Sequence, residues 1–273
     1  MIYRMSKSAK AFALMLAVCL SGTPATAAVC DSPDHLTRVS GAAHCLTIKT
    51  YLPAAGTSQT LVVVLHGDLS SGGPADYIFP IARKSAELGA VGVAMMRPGY
   101  SGDGRTSSGI ASRDQGRNDL YGIAEMGSVA AAVAALRKHH NATRVVLVGH
   151  SGGAANAGVI LGRAAPLVDV AVLISCPCNI PVWRDLRGRS AWPNAASPHD
   201  YLPELSKKAQ LYLLTGENDR NTRPVIARDY AAQAKSLGLN AEFIELPDAG
   251  HGFRRISRQP QLNEVLTKAV TGG

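Results

Sequence analysis

Aromatic residues make up only 5 % of this 273-residue chain, and charged residues only 18 %, against 46 % hydrophobic. So low a charge content argues against a chain kept disordered by solvation. The scarcity of aromatics and the abundance of small residues favour helices packed closely on a sheet. The formal charge is +8. Even so, the basic residues give nucleic-acid binding little support. The chain also lacks a dinucleotide fingerprint, a phosphate-binding loop, an internal repeat and any second Cys or His pair at zinc spacing. The longest N-terminal apolar stretch, AFALMLAVCL, is too short for a permanent membrane span.

That stretch has a different meaning in context. Arg4, Lys7 and Lys10 precede it, and Ala25-Thr26-Ala27 follows it, the three-part layout of a secretory signal peptide cleaved after Ala27. A lipoprotein signal at Cys19 fits poorly, because Val18 stands where a small residue is needed. Removal of residues 1–27 takes away three basic groups and no acidic ones, lowering the formal charge from +8 to +5. The expected location is therefore secreted or periplasmic, with no stable membrane association after cleavage. Four cysteines then remain: Cys30, Cys45, Cys176 and Cys178. An oxidising compartment favours disulfides. Cys30–Cys45 is the first expectation; Cys176 and Cys178 would close a tight ring.

The length suits one large α/β domain or two small ones. A first strand is expected over 44–53. TLVVVLHG, from Thr60 to Gly67, is a continuous β-branched run, the mark of a strand buried on both faces. Further strands are expected at 91–96, 144–150, 168–175, 210–216 and 241–247. Helices are expected at 74–88, 118–140, 152–164, 224–237 and 260–270. Residues 97–109 are rich in Gly and Ser and read as a loop. Strands alternating with helices make βαβ units and a mostly parallel sheet covered on both faces. The segment from Cys176 to Lys208 breaks the alternation and holds both tryptophans, Trp183 and Trp192. It is expected to be a lid-like insertion that lines a substrate pocket.

The chemistry-bearing motif is Gly149-His150-Ser151-Gly152-Gly153. It directly follows a buried strand and opens a small-residue helix, the strand–turn–helix setting of a nucleophile elbow. A serine hydroxyl needs a base, and the base needs an orienting acid. His251, in Asp248-Ala249-Gly250-His251-Gly252-Phe253, follows the last expected strand and is the expected base. His150 sits inside the elbow, where it cannot easily face Ser151. His66 reads as a loop support. His139 and His140 end a helix, where cationic side chains suit the dipole. Asp219, after the strand at 210–216, is the expected acid, with Glu217 as runner-up and Asp248 shaping a turn. The expected oxyanion donors are the backbone N–H groups of Gly152 and Asp68. The Asp68 carboxylate must then either point away from the developing anion or be paired.

LHGD, GHSGG, TGENDR and DAGHGF, in that order on those elements, resemble the α/β-hydrolase superfamily, in its dienelactone-hydrolase and prolyl-oligopeptidase-like esterase branch. The resemblance covers about residue 44 to the end. It implies a single domain with an eight-stranded, mostly parallel sheet, helices on both faces, and cofactor-free hydrolysis through an acyl-enzyme. The nucleophile departs from dienelactone hydrolases, which use cysteine. The leading expectation is hydrolysis of a small carboxylic ester. A small exopeptidase or amidase is the alternative within the same chemistry, with Arg97 a conceivable anchor for a peptide terminus. A non-catalytic binding protein on the same fold is the alternative of another class.

Overall fold

A computed structural model describes residues 30–70, 72–110 and 121–272. The signal-peptide expectation for 1–27 lies outside them. The fold grows from β3 (Thr60–Leu65), where alternation of side chains sorts the core into two halves. Leu61, Val63 and Leu65 face one hydrophobic cluster and Val62 and Val64 the other, all at most 1 % exposed. Each such side chain contributes about 1.5–3 kcal/mol by leaving water. The first cluster is covered by α2 (Ile123–His139), α3 (Gly152–Arg163) and α5 (Pro224–Ser236). The second is covered by α1 (Phe79–Glu87) and α7 (Pro260–Thr271).

Around β3 lie β4 (Val91–Met95), β7 (Arg144–His150), β8 (Val170–Ile174), β9 (Gln210–Gly216) and β10 (Asn240–Leu246), all parallel. β1 (Arg38–Ser40) and β2 (Cys45–Tyr51) join antiparallel. Among the described residues this gives one eight-stranded sheet in the order β1-β2-β4-β3-β7-β8-β9-β10. Register sets up the site. Leu65 of β3 lies opposite Gly149 of β7, so His66 and Gly67 emerge beside His150 and Ser151. Likewise Gly216 of β9 lies opposite Leu246 of β10, so the next two loops leave the same edge together. That carboxyl edge is where parallel sheets bind ligands.

Several elements differ from expectation. Helix α2 starts at Ile123, because Tyr121 takes a left-handed φ of 55° and breaks the pattern that read as helix from 118 (118–120 lie outside the described residues). The loop at 97–109 carries a small hairpin, β5 (Ser101–Gly102) with β6 (Arg105–Thr106). The segment 176–208 is not irregular throughout. It contains α4 (Ile180–Asp185), capped where Asn179 Oδ1 accepts from the Val182 N–H at 3.2 Å, and a 3-10 turn, Pro198–Glu204. This turn packs on α3, where Gly158 and Gly162 leave room for Pro198 and Tyr201. Its second half is thus core cover, which explains why every α3 residue from Gly152 to Gly162 is buried. Disulfides join Cys30 to Cys45 and Cys176 to Cys178. Among the described residues no helix is long and apolar enough to cross a membrane.

Candidate active site

Ser151 stands between β7 and α3 with φ 53° and ψ −119°, a conformation L-residues rarely adopt. Close packing holds it there. A methyl group on Gly149 would strike the Gly153 carbonyl, and one on Gly153 would strike the carbonyls of Leu65 and His66. Gly149 therefore lets the strand end meet the start of α3, and Gly153 lets the elbow approach β3 backbone to backbone. The turn places Ser151 Oγ 3.1 Å from His251 Nε2. His251 lies in the loop between β10 and α6 (Phe253–Ile256). Its Nδ1–H donates to Asp219 Oδ2 at 2.9 Å. A carboxylate can only accept, so the ring carries its proton on Nδ1 and offers Nε2 to the serine hydroxyl.

Asp219, just after β9, is 2 % exposed. Its Oδ1 accepts from the N–H groups of Asn221 and Thr222, both at 2.9 Å, and its Oδ2 also accepts from Thr222 Oγ1 at 2.8 Å. Burial pushes its pKa up, but hydrogen bonds from His251 and Thr222 outweigh it and hold the carboxyl below its ordinary value. Glu217 is engaged elsewhere. It accepts from the Asp248 N–H at 2.9 Å, in a turn where Asp248 takes a φ of 53°. The acid-bearing and base-bearing loops are further laced by Asn218 N–H to the Ala249 carbonyl at 2.9 Å.

A second chain of bonds backs the first. The Gly67 N–H donates to Tyr77 Oη at 2.6 Å, Tyr77 Oη–H donates to His150 Nδ1 at 2.9 Å, and His150 Nε2–H donates to the His251 carbonyl at 3.1 Å. These directions follow from the carbonyl, which only accepts. Burial, then the facing His251, push the His150 pKa down to about 3. Burial pushes the Tyr77 hydroxyl up to about 12, so it stays a donor. His66 supports its loop: Nδ1–H donates to the Gly67 carbonyl at 2.7 Å and Nε2 accepts from the Arg97 N–H at 3.0 Å.

The Asp68 carboxylate lies against Gly152. Of the two alternatives, it takes pairing. Arg97 Nη2 donates to Oδ1 at 2.6 Å and Tyr121 Oη to Oδ2 at 2.6 Å. Arg97 is 2 % exposed and its charge is engaged by Asp68, which fits a structural arginine better than an anchor for a peptide terminus. Trp183 is 6 % exposed and donates Nε1–H to the Asn221 carbonyl at 3.1 Å. Its ring lies 5.6 Å from Trp192, and Trp192 lies 5.6 Å from Tyr121. This aromatic group therefore reaches from the Asp219 loop to the Asp68 carboxylate. Tyr77, Tyr121 and Thr222 escaped the sequence reading. The first two sit inside stretches with helical pattern, and nothing in spacing marks them; Thr222, three residues after Asp219, carries a weak side-chain-to-backbone turn signal.

A parallel sheet with a Ser–His–Asp hydrogen-bonded series at its carboxyl edge defines an α/β serine hydrolase. The prolyl oligopeptidase family matches residues 82–267, more than half of the chain, and the chain belongs to that family. Solved structures share the fold. Est1E from Butyrivibrio proteoclasticus, solved with ferulic acid, is 15 % identical with a TM-score of 0.63 over 85 % of this chain and 95 % of its own. An esterase of Pyrococcus furiosus is 16 % identical, TM-score 0.66, over 86 % and 90 %. The acylaminoacyl peptidase of Pyrococcus horikoshii is 15 % identical, TM-score 0.64, over 85 % of this chain but only 41 % of that protein. No curated protein matches in sequence.

Proposed function

We propose that this serine hydrolase cleaves small carboxylic esters through an acyl-enzyme on Ser151. The observation that carries the reading is the series Ser151 Oγ–His251 Nε2 at 3.1 Å and His251 Nδ1–Asp219 Oδ2 at 2.9 Å. His251 takes the Ser151 proton as Oγ attacks the ester carbonyl. Asp219, ionised and held by four donors, fixes the ring tautomer and stabilises the imidazolium. The oxyanion falls to the N–H of Gly152, at the start of α3 where helical N–H groups lack intrahelical partners, and to the N–H of Asp68. Pairing with Arg97 and Tyr121 offsets the Asp68 charge beside that anion. His251 then returns the proton to the leaving alcohol, and water repeats the sequence to release the acid. Trp183 and Trp192 form one wall of the pocket.

Export into a secreted or periplasmic space is part of this reading. It is supported by the N-terminal charge-apolar-small layout and by two disulfides. A second reading, exopeptidase or amidase, draws on the family match and the acylaminoacyl peptidase fold. One panel separates them: p-nitrophenyl esters against aminoacyl-p-nitroanilides, with wild type and Ser151→Ala. Ester turnover that disappears in Ser151→Ala, with a serine-directed phosphonate labelling Ser151 alone, supports the proposal. Faster anilide cleavage moves the enzyme to the second reading, and labelling elsewhere overturns the nucleophile.

A further inference from the structure

The face of α4 and the loop after it carry three arginines, Arg184, Arg187 and Arg189, within six residues. Among the described residues none of them makes an ion pair, although Asp185 sits in the same helix. Arg184 is fixed by donating Nε–H to the Ser190 carbonyl at 2.7 Å, and its guanidinium lies 4.2 Å from the centre of the Trp192 ring. Arg187 lies 5.3 Å from the centre of Trp183. Two cations thus cap the two indoles named above as the pocket wall. The Trp192 ring under Arg184 lies 5.6 Å from that of Tyr121. Tyr121 in turn bonds Asp68, whose carboxylate lies against Gly152. Arg184 thus lies at one end of an aromatic series whose other end bonds the carboxylate beside Gly152.

Three uncompensated like charges held together repel one another, and planar guanidinium groups stacked on indole are preorganised for oxygen anions. We propose that Arg184 and Arg187 form an anion subsite on the Trp183–Trp192 wall, and that the preferred substrates are esters bearing a free carboxylate. The inference rests on the serine-esterase reading. In it, the substrate carboxylate accepts from the guanidinium N–H groups while its carbon stem lies along the indoles, which orients the ester carbonyl toward Ser151.

The test compares p-nitrophenyl hexanoate with mono-p-nitrophenyl adipate, which have the same acyl chain length and leaving group but differ by one terminal carboxylate. The wild type is expected to favour the adipate in kcat/KM by about tenfold at low salt, as charge-assisted contacts of ordinary strength give. That ratio should shrink as sodium chloride is raised. In Arg184→Gln/Arg187→Gln, shown to fold by circular dichroism, the adipate-to-hexanoate ratio should fall to about one, the value expected with no charged contact. Lys138→Gln removes the same charge near the end of α2, at the opposite edge of the sheet, and should keep the wild-type ratio. A wild-type ratio of one or below, or a ratio unchanged in the double variant, overturns the subsite while leaving the esterase reading intact. Failure of the wild type to hydrolyse either ester overturns both.

Discussion

Replacing Asp219 with Asn isolates the part played by its charge. The Oδ1 position accepts two backbone N–H groups, from Asn221 and Thr222 at 2.9 Å. Only an oxygen can serve there, so the new amide nitrogen must take the Oδ2 position, facing Thr222 Oγ1 and His251 Nδ1. An N–H aimed at Nδ1 converts that nitrogen from donor to acceptor and drives the ring proton to Nε2. There it confronts the Ser151 hydroxyl with a donor instead of a base. The loss is therefore set by the wrong tautomer and should reach about 10⁴-fold in kcat, or ~5 kcal/mol of barrier. Two backbone bonds persist, so the stability cost should stay near ~1–2 kcal/mol, the weakening of charge-assisted bonds to neutral ones. Glu217→Gln keeps its acceptor for the Asp248 N–H and should change kcat less than about threefold, as surface changes away from special features do. Stopped-flow release of p-nitrophenol reads both variants. A larger kcat loss in Glu217→Gln, or Asp219→Asn retaining a tenth of wild-type kcat, refutes the tautomer argument.

Tyr77→Phe removes the hydroxyl between Gly67 and His150. It should lower kcat about tenfold with KM little changed, because a misplaced donor and base affect the transition state more than binding; a loss confined to KM would remove Tyr77 from a positioning role. Acid should destabilise the fold through His150 and His66, both pushed down by burial, His150 to about 3. Unfolded histidine binds its proton near pH ~6.5 and these folded rings do not, so stability is full above that pH. It declines by ~1.4 kcal/mol per pH unit for each ring as pH falls toward the folded values. Urea unfolding at descending pH should show a shallower decline in His150→Gln, and an identical slope would contradict the assignment. Trp183→Ala empties a buried site and breaks the bond to Asn221, so it should cost about 3–5 kcal/mol. The half-buried Trp192→Ala should instead alter the ranking of ester chain lengths. Calorimetry and the ester panel separate the two, and equal effects on stability would make both indoles anchors.

Strands buried on both faces were legible because a continuous apolar run such as LVVVL suits a central parallel position. The elbow was legible because strand, glycine, serine and small-residue helix are contiguous. Ser151, Asp219 and His251 could be named because each follows a recognisable strand. What escaped was the set of supporting contacts that no motif or strand end marks. Tyr77 reaches His150 across 73 residues, and Tyr121 reaches Asp68 across 53. No local spacing encodes such meetings. The short β1 has too few residues to show alternation, and the Pro198–Glu204 turn gains its place from the glycines of α3 rather than from its own pattern.

Three imidazoles share one small volume, and each turns its bare nitrogen to a different kind of group. His66 holds its hydrogen on Nδ1 and lends Nε2 to a backbone amide; His150 holds its hydrogen on Nε2 and lends Nδ1 to a phenol. Neither has a vacant lone pair for a second hydrogen, and burial disfavours a charge on either. His251, its ring centre 5.3 Å from that of His150, alone of the three has its free nitrogen turned to the Ser151 hydroxyl. When a proton leaves Ser151 it thus has a single destination. The positive charge it creates cannot migrate inward along the neighbouring rings, and stays beside the anion whose formation released it.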